Sequence, residues 1–354
     1  MRSKYQMSYK INNIQALRAF AAVAVTIFHS QYALPHMPAI GAFGVDIFFV
    51  ISGYIMAYIS ETKPIFFIRR RLIRILPPYW AMTLLLFVFA WKFPQLLQAT
   101  QASKQELIKS LLFIPYYKSN GLLRPLLFVG WSLNYEMFFY MTLALALFIL
   151  PKYALLLASV FIIIMMVICY PFAAHGAIPA FYSSGMMLEF ILGIVAYFLV
   201  RCVSTAQATR FRSVSLFCLV ASMIAIAFNE GLFGLSNGWH RSIASGLISF
   251  IMIASAILLA QGGWDVTMTS VVLVGDASYV LYLLHPYCEF LIDRVLARRV
   301  PILVINHLFG YLFAVATSIA LAVLLHLKLE MPVVKYLNRS FGGKRESAEF
   351  RTAA

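Results

Sequence analysis

The stretch LRAFAAVAVTIFHS, residues 17–30, is apolar enough to enter a bilayer, yet it carries Arg18 near one end and His29 near the other. In a helix, which turns about 100° per residue, the two side chains project from nearly the same face, about 16 Å apart along the axis. Ionisable residues inside a span are costly and usually face a cavity or each other. The stretch therefore predicts a transmembrane helix with a polar line along one face. A snorkelling Arg18 and a hydrogen-bonded, buried His29 are the structural alternative.

Hydrophobic residues make up 62% of the 354-residue chain and charged residues only 12%, whereas about a quarter of a soluble domain is charged. Apolar stretches of roughly 17–25 residues, long enough to cross a bilayer, recur along the whole sequence. The predicted fold class is all-α, a polytopic membrane helix bundle of about ten transmembrane helices. We expect these spans near residues 14–32, 43–60, 79–98, 132–150, 153–171, 184–200, 213–229, 242–260, 277–293 and 308–327.

The distribution of Lys and Arg sets the expected orientation, because cytoplasmic loops carry the excess of positive charge. With the N-terminus in the cytoplasm, 18 of these residues lie in inside segments and nine in outside segments. Both termini are then cytoplasmic, with residues 1–13 before the membrane domain 14–327 and a basic tail 328–354 after it. Three arginines in residues 294–299 do not fit this orientation.

The formal net charge of +15 does not indicate a nucleic-acid-binding protein, because the cations are scattered over short loops and the tail. Anionic membrane lipids and a phosphorylated cytosolic ligand are the partners that such loops favour. The four cysteines have neither CxxC nor metal-ligand spacing. We therefore expect no disulfide framework and no metal site.

Four arginines fall within six residues of FFIRRRLIRILPPYW, residues 66–80. A helix would present several of their guanidinium groups together, because they are spaced i, i+3 and i, i+4. Topology alone explains one or two of them, whereas a cluster suits phosphate groups, which the planar fork of Arg binds bidentately. The candidate phosphate-binding residues are Arg69, Arg70, Arg71 and Arg74.

Two acidic side chains enter other spans at the depth expected for His29. Asp46 opens the span in GVDIFFVISGYIM, residues 44–56, and Glu136 lies in GWSLNYEMFFY, residues 130–140. A carboxylate within reach of His29 could orient the imidazole, as in nucleophile–His–carboxylate sites. For Asp46, a structural role at the start of a helix is about as consistent.

Aromatic and polar side chains near these acids are candidates for substrate contacts. An aromatic side chain at the outer interface also fits the aromatic belt expected there. Ser52 and Gly53 allow close helix approach, and packing is the favoured role for both. For Glu189 in the sixth span, we expect no role beyond pairing with another side chain. The candidate substrate-binding residues are Trp131, Tyr135, Ser52, Tyr282 and His285.

Five motifs, in this order, resemble the acyltransferase-3 family of bacterial integral membrane O-acyltransferases: LR-x(10)-H, FGVDIFFVISGY, RRRLIRILPPYW, GWSLNYEMFFY and SYVLYLLH. The similarity covers nearly the whole chain and is strongest to the branch associated with exopolysaccharide and O-antigen acetylation. The resemblance implies transfer of an acyl group, normally acetyl, from cytosolic acetyl-CoA to a hydroxyl of an envelope or extracellular glycan or its lipid-linked precursor. It also implies a multi-pass protein of the bacterial inner membrane without a permanently bound cofactor.

The resemblance assigns roles to individual residues. The Arg-x(10)-His motif that such enzymes need falls on Arg18 and His29, the cytoplasmic arginine motif falls on Arg71 and Arg74, and the family's Glu falls on Glu136. We expect the arginines to bind the CoA phosphates and the thioester to reach His29, which acts as a general base or accepts the acyl group itself. The expected catalytic residues are His29, Arg18, Asp46 and Glu136.

A transporter or flippase for a sugar-lipid or a proton-coupled solute is the alternative, because intramembrane acids and histidines also suit proton relays. The sequence shows no duplicated half with matched broken helices, which is the sequence sign of alternating access. A transporter also has no need for an arginine cluster that binds phosphates. The enzyme is therefore the favoured prediction.

Overall fold

The computed structural model describes residues 11–30, 40–62, 67–96, 103–233, 239–292 and 307–341. The N-terminal segment 1–10, the connection 293–306 with its three arginines and the tail beyond residue 341 lie outside these ranges. The α-helices within them are α1 (Asn12–Ser30), α2 (Gly44–Thr62), α3 (Phe67–Lys92), α4 (Lys104–Leu111), α5 (Trp131–Ile149), α6 (Ala154–Cys169), α7 (Ala177–Tyr182), α8 (Met187–Arg201), α9 (Thr205–Arg210), α10 (Arg212–Phe233), α11 (Trp239–Gln261), α12 (Thr269–Asp276), α13 (Ser278–Leu291), α14 (His307–Leu325) and α15 (Met331–Phe341).

Eight helices in the described part of the chain are long and apolar enough to cross a membrane, or nine if a bent pair counts as one span. The prediction of an all-α, multi-pass membrane protein is confirmed, whereas the count of about ten spans is not. Helix α1 is not among these eight because its first two turns carry Asn12, Asn13, Gln15 and Arg18. Its length of 19 residues nevertheless suffices for a span.

The ninth predicted span, 277–293, corresponds to α13 and begins at a sharp bend. Helices α12 and α13 are bent by 72° relative to each other, with Ala277 between them. Gly275 lies so close to α1 that an added Cβ would stand 2.0 Å from the carbonyl oxygen of Gln15. Any larger residue would push α12 away from the polar start of α1.

The helix of the third predicted span, 79–98, begins well before the apolar stretch. Helix α3 begins at Phe67, runs through Pro77 and Pro78 and ends at Lys92. The arginine cluster therefore lies on the same continuous helix as the apolar span, and the guanidinium groups have helical spacing as the sequence predicts.

Helix α1 lies within the bundle and packs against α2, α11, α12, α13 and α14. Beside it, α2 and α8 cross closely. An added Cβ on Gly53 would stand 2.0 Å from the carbonyl oxygen of Phe190, and one on Gly193 would stand 2.2 Å from that of Val50. Small residues allow such backbone approach between membrane helices, so packing is confirmed as the role of Gly53. This scaffold fixes α1 and α2, which carry several of the candidate residues.

Candidate active site

An open cavity brings together polar side chains from five helices. Three of them are arginines: Arg18 from α1 and Arg71 and Arg74 from α3. Arg18 is 8% exposed, and its Nη1 donates to Gln15 Oε1 at 3.2 Å. We call the side of the cavity with these three residues the arginine end. Three guanidinium groups so close together repel one another and therefore favour an anionic ligand.

Glu136 is held in the same cavity by two hydroxyl groups. Ser52 Oγ donates to Glu136 Oε1 at 3.0 Å, and Tyr140 Oη also donates to this oxygen. Ser52 Oγ and Tyr140 Oη are 2.7 Å apart. Both hydroxyl groups are buried, and Tyr140 is 1% exposed. Glu136 is therefore a fixed negative charge facing the arginine end, rather than a hydrogen-bond partner of His29.

His29 and His285 form a direct contact between α1 and α13. His29 Nδ1 lies 3.1 Å from His285 Nε2 and 3.0 Å from the carbonyl oxygen of Val25. His285 Nδ1 lies 3.1 Å from the carbonyl oxygen of Leu281. His285 is fully buried, whereas His29 is half-buried. The partner of His29 in this structure is a second imidazole.

Tyr282 separates the cavity from the histidine pair. It lines the cavity, and its ring centroid lies 6.0 Å from that of His285. Its hydroxyl donates to the carbonyl oxygen of Val129 at 2.8 Å and lies 2.7 Å from Ser132 Oγ. Ser132 also lines the cavity. The histidine pair therefore lies next to the end of the cavity opposite the arginines, which we call the histidine end.

The predicted contact between Asp46 and His29 is not formed. Asp46 Oδ2 instead accepts from Arg241 Nη2 at 3.0 Å, and both side chains are buried. Glu189, which is 0% exposed, lies beside this ion pair. Glu230 accepts from the backbone N–H groups of residues 41–43 just before α2. The sequence prediction missed that Arg241 reaches into the bundle and fixes the start of α2, which leaves Asp46 with a structural role.

Replacing Arg241 by Met should lower the free energy of unfolding by about 3 kcal/mol, because it leaves buried acids without their cation. Denaturant titration of the purified protein in detergent, followed by circular dichroism, measures this change. Arg210→Met is the matched control, since Arg210 is exposed at the end of α9. Asp46→Asn in the Arg241→Met background should recover part of the loss. An unchanged midpoint in Arg241→Met would contradict a structural role for the pair.

The four predicted phosphate-binding arginines do not all line the same cavity. Arg71 and Arg74 line the cavity, whereas Arg69 and Arg70 are not among its lining residues. Arg69 Nη1 donates to the carbonyl oxygen of Phe341 at 2.7 Å, at the end of α15. A helix separates adjacent side chains by about 100°, so four arginines in six residues cannot all face one cavity.

Trp131 and Tyr135 lie at the start of α5 and line a second, smaller cavity. One face of Tyr135 is covered by Phe181, with ring centroids 4.1 Å apart and planes within 12°. Trp131 meets Tyr135 edge to face at 6.0 Å. The small cavity also contains Asn134 and Arg124, which the sequence prediction did not include.

The segment before α5 is ordered by its own hydrogen bonds. Lys118 N donates to the carbonyl oxygen of Leu122 at 2.9 Å, and Lys118 Nζ donates to that of Leu126 at 3.2 Å. Burial lowers the pKa of Lys118 to about 8, and burial raises the pKa of Tyr116 to about 12. Lys118 is therefore occupied by the backbone, which leaves Arg124 as the cation of this segment at the small cavity.

One residue of the main cavity, Tyr140, was missed, although its spacing could have revealed it. Tyr140 stands four residues after Glu136 and therefore on the same helical face. Tyr279 is in the motif that contains His285, and its hydroxyl donates to the carbonyl oxygen of Ile75 on α3 at 2.8 Å. Both residues line the cavity, and Tyr279 joins α13 to the helix that carries the arginines.

The order of these residues along the chain matches a known family. The family model of the acyltransferase domain, acyltransferase 3, matches residues 11–327. The chain belongs to the acyltransferase-3 family. This family membership makes the protein an O-acyltransferase and removes the need for the transporter interpretation. No solved structure matches the chain.

Individual acyltransferase-3 relatives agree with this assignment. The exopolysaccharide production protein ExoZ of Rhizobium meliloti is 29% identical over 74% of this chain and 80% of its own length. The acyltransferase MdmB of Streptomyces mycarofaciens is 26% identical over 78% of each chain. The putative membrane-bound transacylase BcsY of Komagataeibacter xylinus is 26% identical over 77% of this chain and 71% of its own length.

Proposed function

We propose that this O-acyltransferase moves an acetyl group from acetyl-CoA to a hydroxyl of an extracellular or envelope polysaccharide, or of its lipid-linked precursor, in the bacterial inner membrane. The observation that supports this proposal best is one cavity with three guanidinium groups at one end and a histidine pair next to the other. Phosphates of CoA suit the arginine end, and an acyl acceptor suits the histidine end. The positive-inside distribution of Lys and Arg supports a cytoplasmic arginine end.

Arg18, Arg71 and Arg74 are the proposed ligands of the CoA phosphates. Guanidinium groups bind phosphate oxygens through charge-assisted, often bidentate hydrogen bonds. The single carboxylate among the lining residues, Glu136, is held back by Ser52 and Tyr140. The cavity therefore keeps a net positive charge for the nucleotide, and the extended pantetheine arm runs between α2, α5 and α13 towards Tyr282.

The contacts of the two imidazoles support Nε2 of His29 as the base. A carbonyl oxygen only accepts, so Nδ1 of His285 carries the proton that is donated to Leu281, and its Nε2 is then an acceptor. Nδ1 of His29 faces two acceptors, the Val25 carbonyl oxygen and His285 Nε2, and must also carry a proton. This leaves Nε2 of His29 with a free lone pair. His285 thus takes the orienting role that we expected of a carboxylate.

The proposed reaction follows from this tautomer. Nε2 of His29 takes the proton of the sugar hydroxyl while the hydroxyl oxygen attacks the thioester carbonyl carbon. The carbon–sulfur bond then breaks, and the CoA thiolate recovers the proton from His29. The products are the O-acetyl sugar and CoA–SH. General-base assistance typically supplies about 10²–10⁴-fold in rate, and positioning of the two substrates in the bundle supplies the rest.

Replacing His285 by Leu should lower kcat about 30-fold, because Nδ1 of His29 loses the acceptor that fixes its tautomer. His285→Gln should recover part of the rate, since its amide oxygen can accept the same proton. The KM for acetyl-CoA should change little in both variants. The pH profile of kcat should also shift in these variants, because the apparent pKa of the base depends on the residue at position 285. A packing defect alone would not shift the profile. Equal losses in His285→Leu and His285→Gln with an unmoved profile would contradict the orienting role.

Purified protein in nanodiscs, incubated with acetyl-CoA labelled in the acetyl group and with polysaccharide from the source cells, tests the proposed function. We expect alkali-labile label on the glycan, with release of CoA–SH in equal amount. The O-acetyl signals of the surface polysaccharide, compared by NMR with and without the gene, give the matching test in cells. A glycan that stays unlabelled and O-acetyl signals that do not change would overturn the proposal.

A further inference from the structure

A cleft between α6 and α8 has no role in the mechanism above. Its volume is about 730 Å³, within the roughly 300–1,000 Å³ of ligand pockets. Three of the apolar side chains that line it, Leu156, Val195 and Phe198, are exposed, so the cleft is open at the surface of the bundle. In a membrane protein, such an apolar opening faces lipid chains, which are as apolar as leucine.

The cleft is about as deep as one leaflet of a bilayer. Its deepest lining residue on α8 is Ile191, and its mouth contains Glu61, which contacts Arg201 at the end of the same helix. Arg201 follows Ile191 by ten residues, which is about 15 Å of helix. One leaflet supplies half of the roughly 30 Å hydrocarbon core. An acyl chain of one leaflet therefore fits along the cleft.

The serine hydroxyls that line the cleft donate within their own helices. Ser159 Oγ on α6 donates to the carbonyl oxygen of Leu155 at 2.8 Å, and Ser60 Oγ on α2 donates to that of Ala57 at 3.0 Å. Because both donors are used, the interior of the cleft favours an apolar chain over a polar ligand.

The mouth of the cleft has a net positive charge. Glu61 Oε2 accepts from Arg201 Nη1 at 2.5 Å and from Tyr197 Oη at 2.8 Å, so its negative charge is balanced. Lys152 also lines the cleft. Its Nζ lies over the ring of Tyr153, 5.0 Å from the centroid, and has no carboxylate partner among the described residues. The charge of Lys152 is therefore available to an anion.

Lys152 lies at the level of lipid headgroups. It belongs to the short turn Pro151–Tyr153 between α5 and α6, two helices long and apolar enough to span a membrane. Tyrosine and lysine side chains are typical of this level, and basic pockets between spans bind the headgroups of anionic lipids. A phosphate group at this depth would lie above the apolar part of the cleft.

We propose that the cleft between α6 and α8 binds a phospholipid with an anionic headgroup. The headgroup lies against Lys152, and one acyl chain lies between the two helices. A cationic mouth above an apolar interior one leaflet deep matches the two ends of such a lipid. This inference does not depend on the proposed function, because it concerns a part of the bundle that the reaction does not use.

Native mass spectrometry of the full-length protein in detergent, titrated with phosphatidylglycerol or with phosphatidylcholine of the same acyl chains, tests the proposal. We expect phosphatidylglycerol to bind about fivefold more tightly, the effect of one lysine beside an anionic lipid. Lys152→Gln should remove this preference. Arg210→Gln is the matched control, since it removes an exposed charge from the connection that follows α8. Equal binding of both lipids to the wild type, or a preference that survives in Lys152→Gln, would overturn the proposal.

Ser159→Phe tests the place of the acyl chain. Ser159 is half-buried and lines the cleft, so a phenyl ring there takes up part of the space. Both lipids should bind about tenfold more weakly, as the loss of roughly two buried methylene groups predicts. Val160→Phe is the control, because Val160 is exposed on the same helix and does not line the cleft. Unchanged lipid binding in Ser159→Phe would refute the assignment to the cleft.

A second copy of this chain is the competing occupant, since exposed apolar surfaces also mark protein interfaces. The same spectra distinguish the two, because they report the mass of each complex. A monomer that carries phosphatidylglycerol supports the proposal. A dimer that persists without lipid and dissociates in Ser159→Phe would assign the cleft to the second copy and overturn it. Acyl transfer enters none of these measurements, so their outcome leaves the proposed function untouched.

Discussion

Replacing His29 by Ala should lower acyl transfer about 10³-fold, within the range that general-base assistance supplies, while acetyl-CoA still binds. The loss should appear in kcat, because in the proposed mechanism the imidazole acts on the acceptor hydroxyl and the CoA phosphates bind at the other end of the cavity. Transfer of labelled acetyl groups to glycan and equilibrium binding of acetyl-CoA measure the two effects. His175→Ala is the matched control, since His175 is exposed between α6 and α7. Normal turnover in His29→Ala would refute the assignment of the base.

Labelled acetyl-CoA also separates the two chemical roles open to His29, general base and acyl carrier. If the imidazole accepts the acetyl group before the sugar does, wild-type protein incubated without acceptor should carry label on His29 after rapid quenching. A general base leaves no such label. His285 supports the base, because its Nε2 fixes the proton on Nδ1 of His29 and leaves one nitrogen to act on the hydroxyl. Detection of acetyl-histidine would replace the general base by a covalent intermediate.

The helices follow from the sequence because long apolar stretches have few alternatives in a bilayer. Each predicted span overlaps a helix in the described residues, although eight or nine of these helices qualify as spans by length and composition. The length of α3 and the bend between α12 and α13 were not predictable from hydropathy. Both depend on neighbours: Tyr279 joins α13 to α3, and Gly275 allows α12 to approach α1.

The candidate site was less predictable than the helices. The helical period brings Arg18 and His29 to one face of α1, but it does not identify their partners on other helices. Asp46 lies in a span that suits contact with His29, yet Arg241 binds it from 195 positions away. His285 was a candidate for the substrate, and only the packing of α13 on α1 reveals its contact with His29. Pairings between spans depend on helix rotation, which a single sequence does not fix.

Replacing both Arg71 and Arg74 by Gln should weaken acetyl-CoA binding about 10²-fold, since hydrogen bonds to charged groups contribute about 1.5–3 kcal/mol each. The KM for acetyl-CoA should rise, with a smaller change in kcat, because the proposed mechanism has the reacting atoms at the histidine end. Calorimetric titration with acetyl-CoA measures the loss. If the two arginines bind separate phosphate oxygens, the fold-loss of acetyl-CoA affinity in each single variant should be roughly the square root of the fold-loss in the double variant.

Arg69→Gln is the control that makes this prediction specific. It removes the same charge from the same helix, but Arg69 donates to the carbonyl oxygen of Phe341 and is not among the residues that line the cavity. A general effect of positive charge at this end of the bundle would weaken binding in all variants and would vanish at high salt. If the arginines contact acetyl-CoA inside the cavity, Arg71→Gln and Arg74→Gln should lose much of their affinity for it, and Arg69→Gln should lose nearly none. Dephospho-CoA sharpens the test further: if one arginine binds the 3′-phosphate, its replacement should not weaken a ligand that lacks this group.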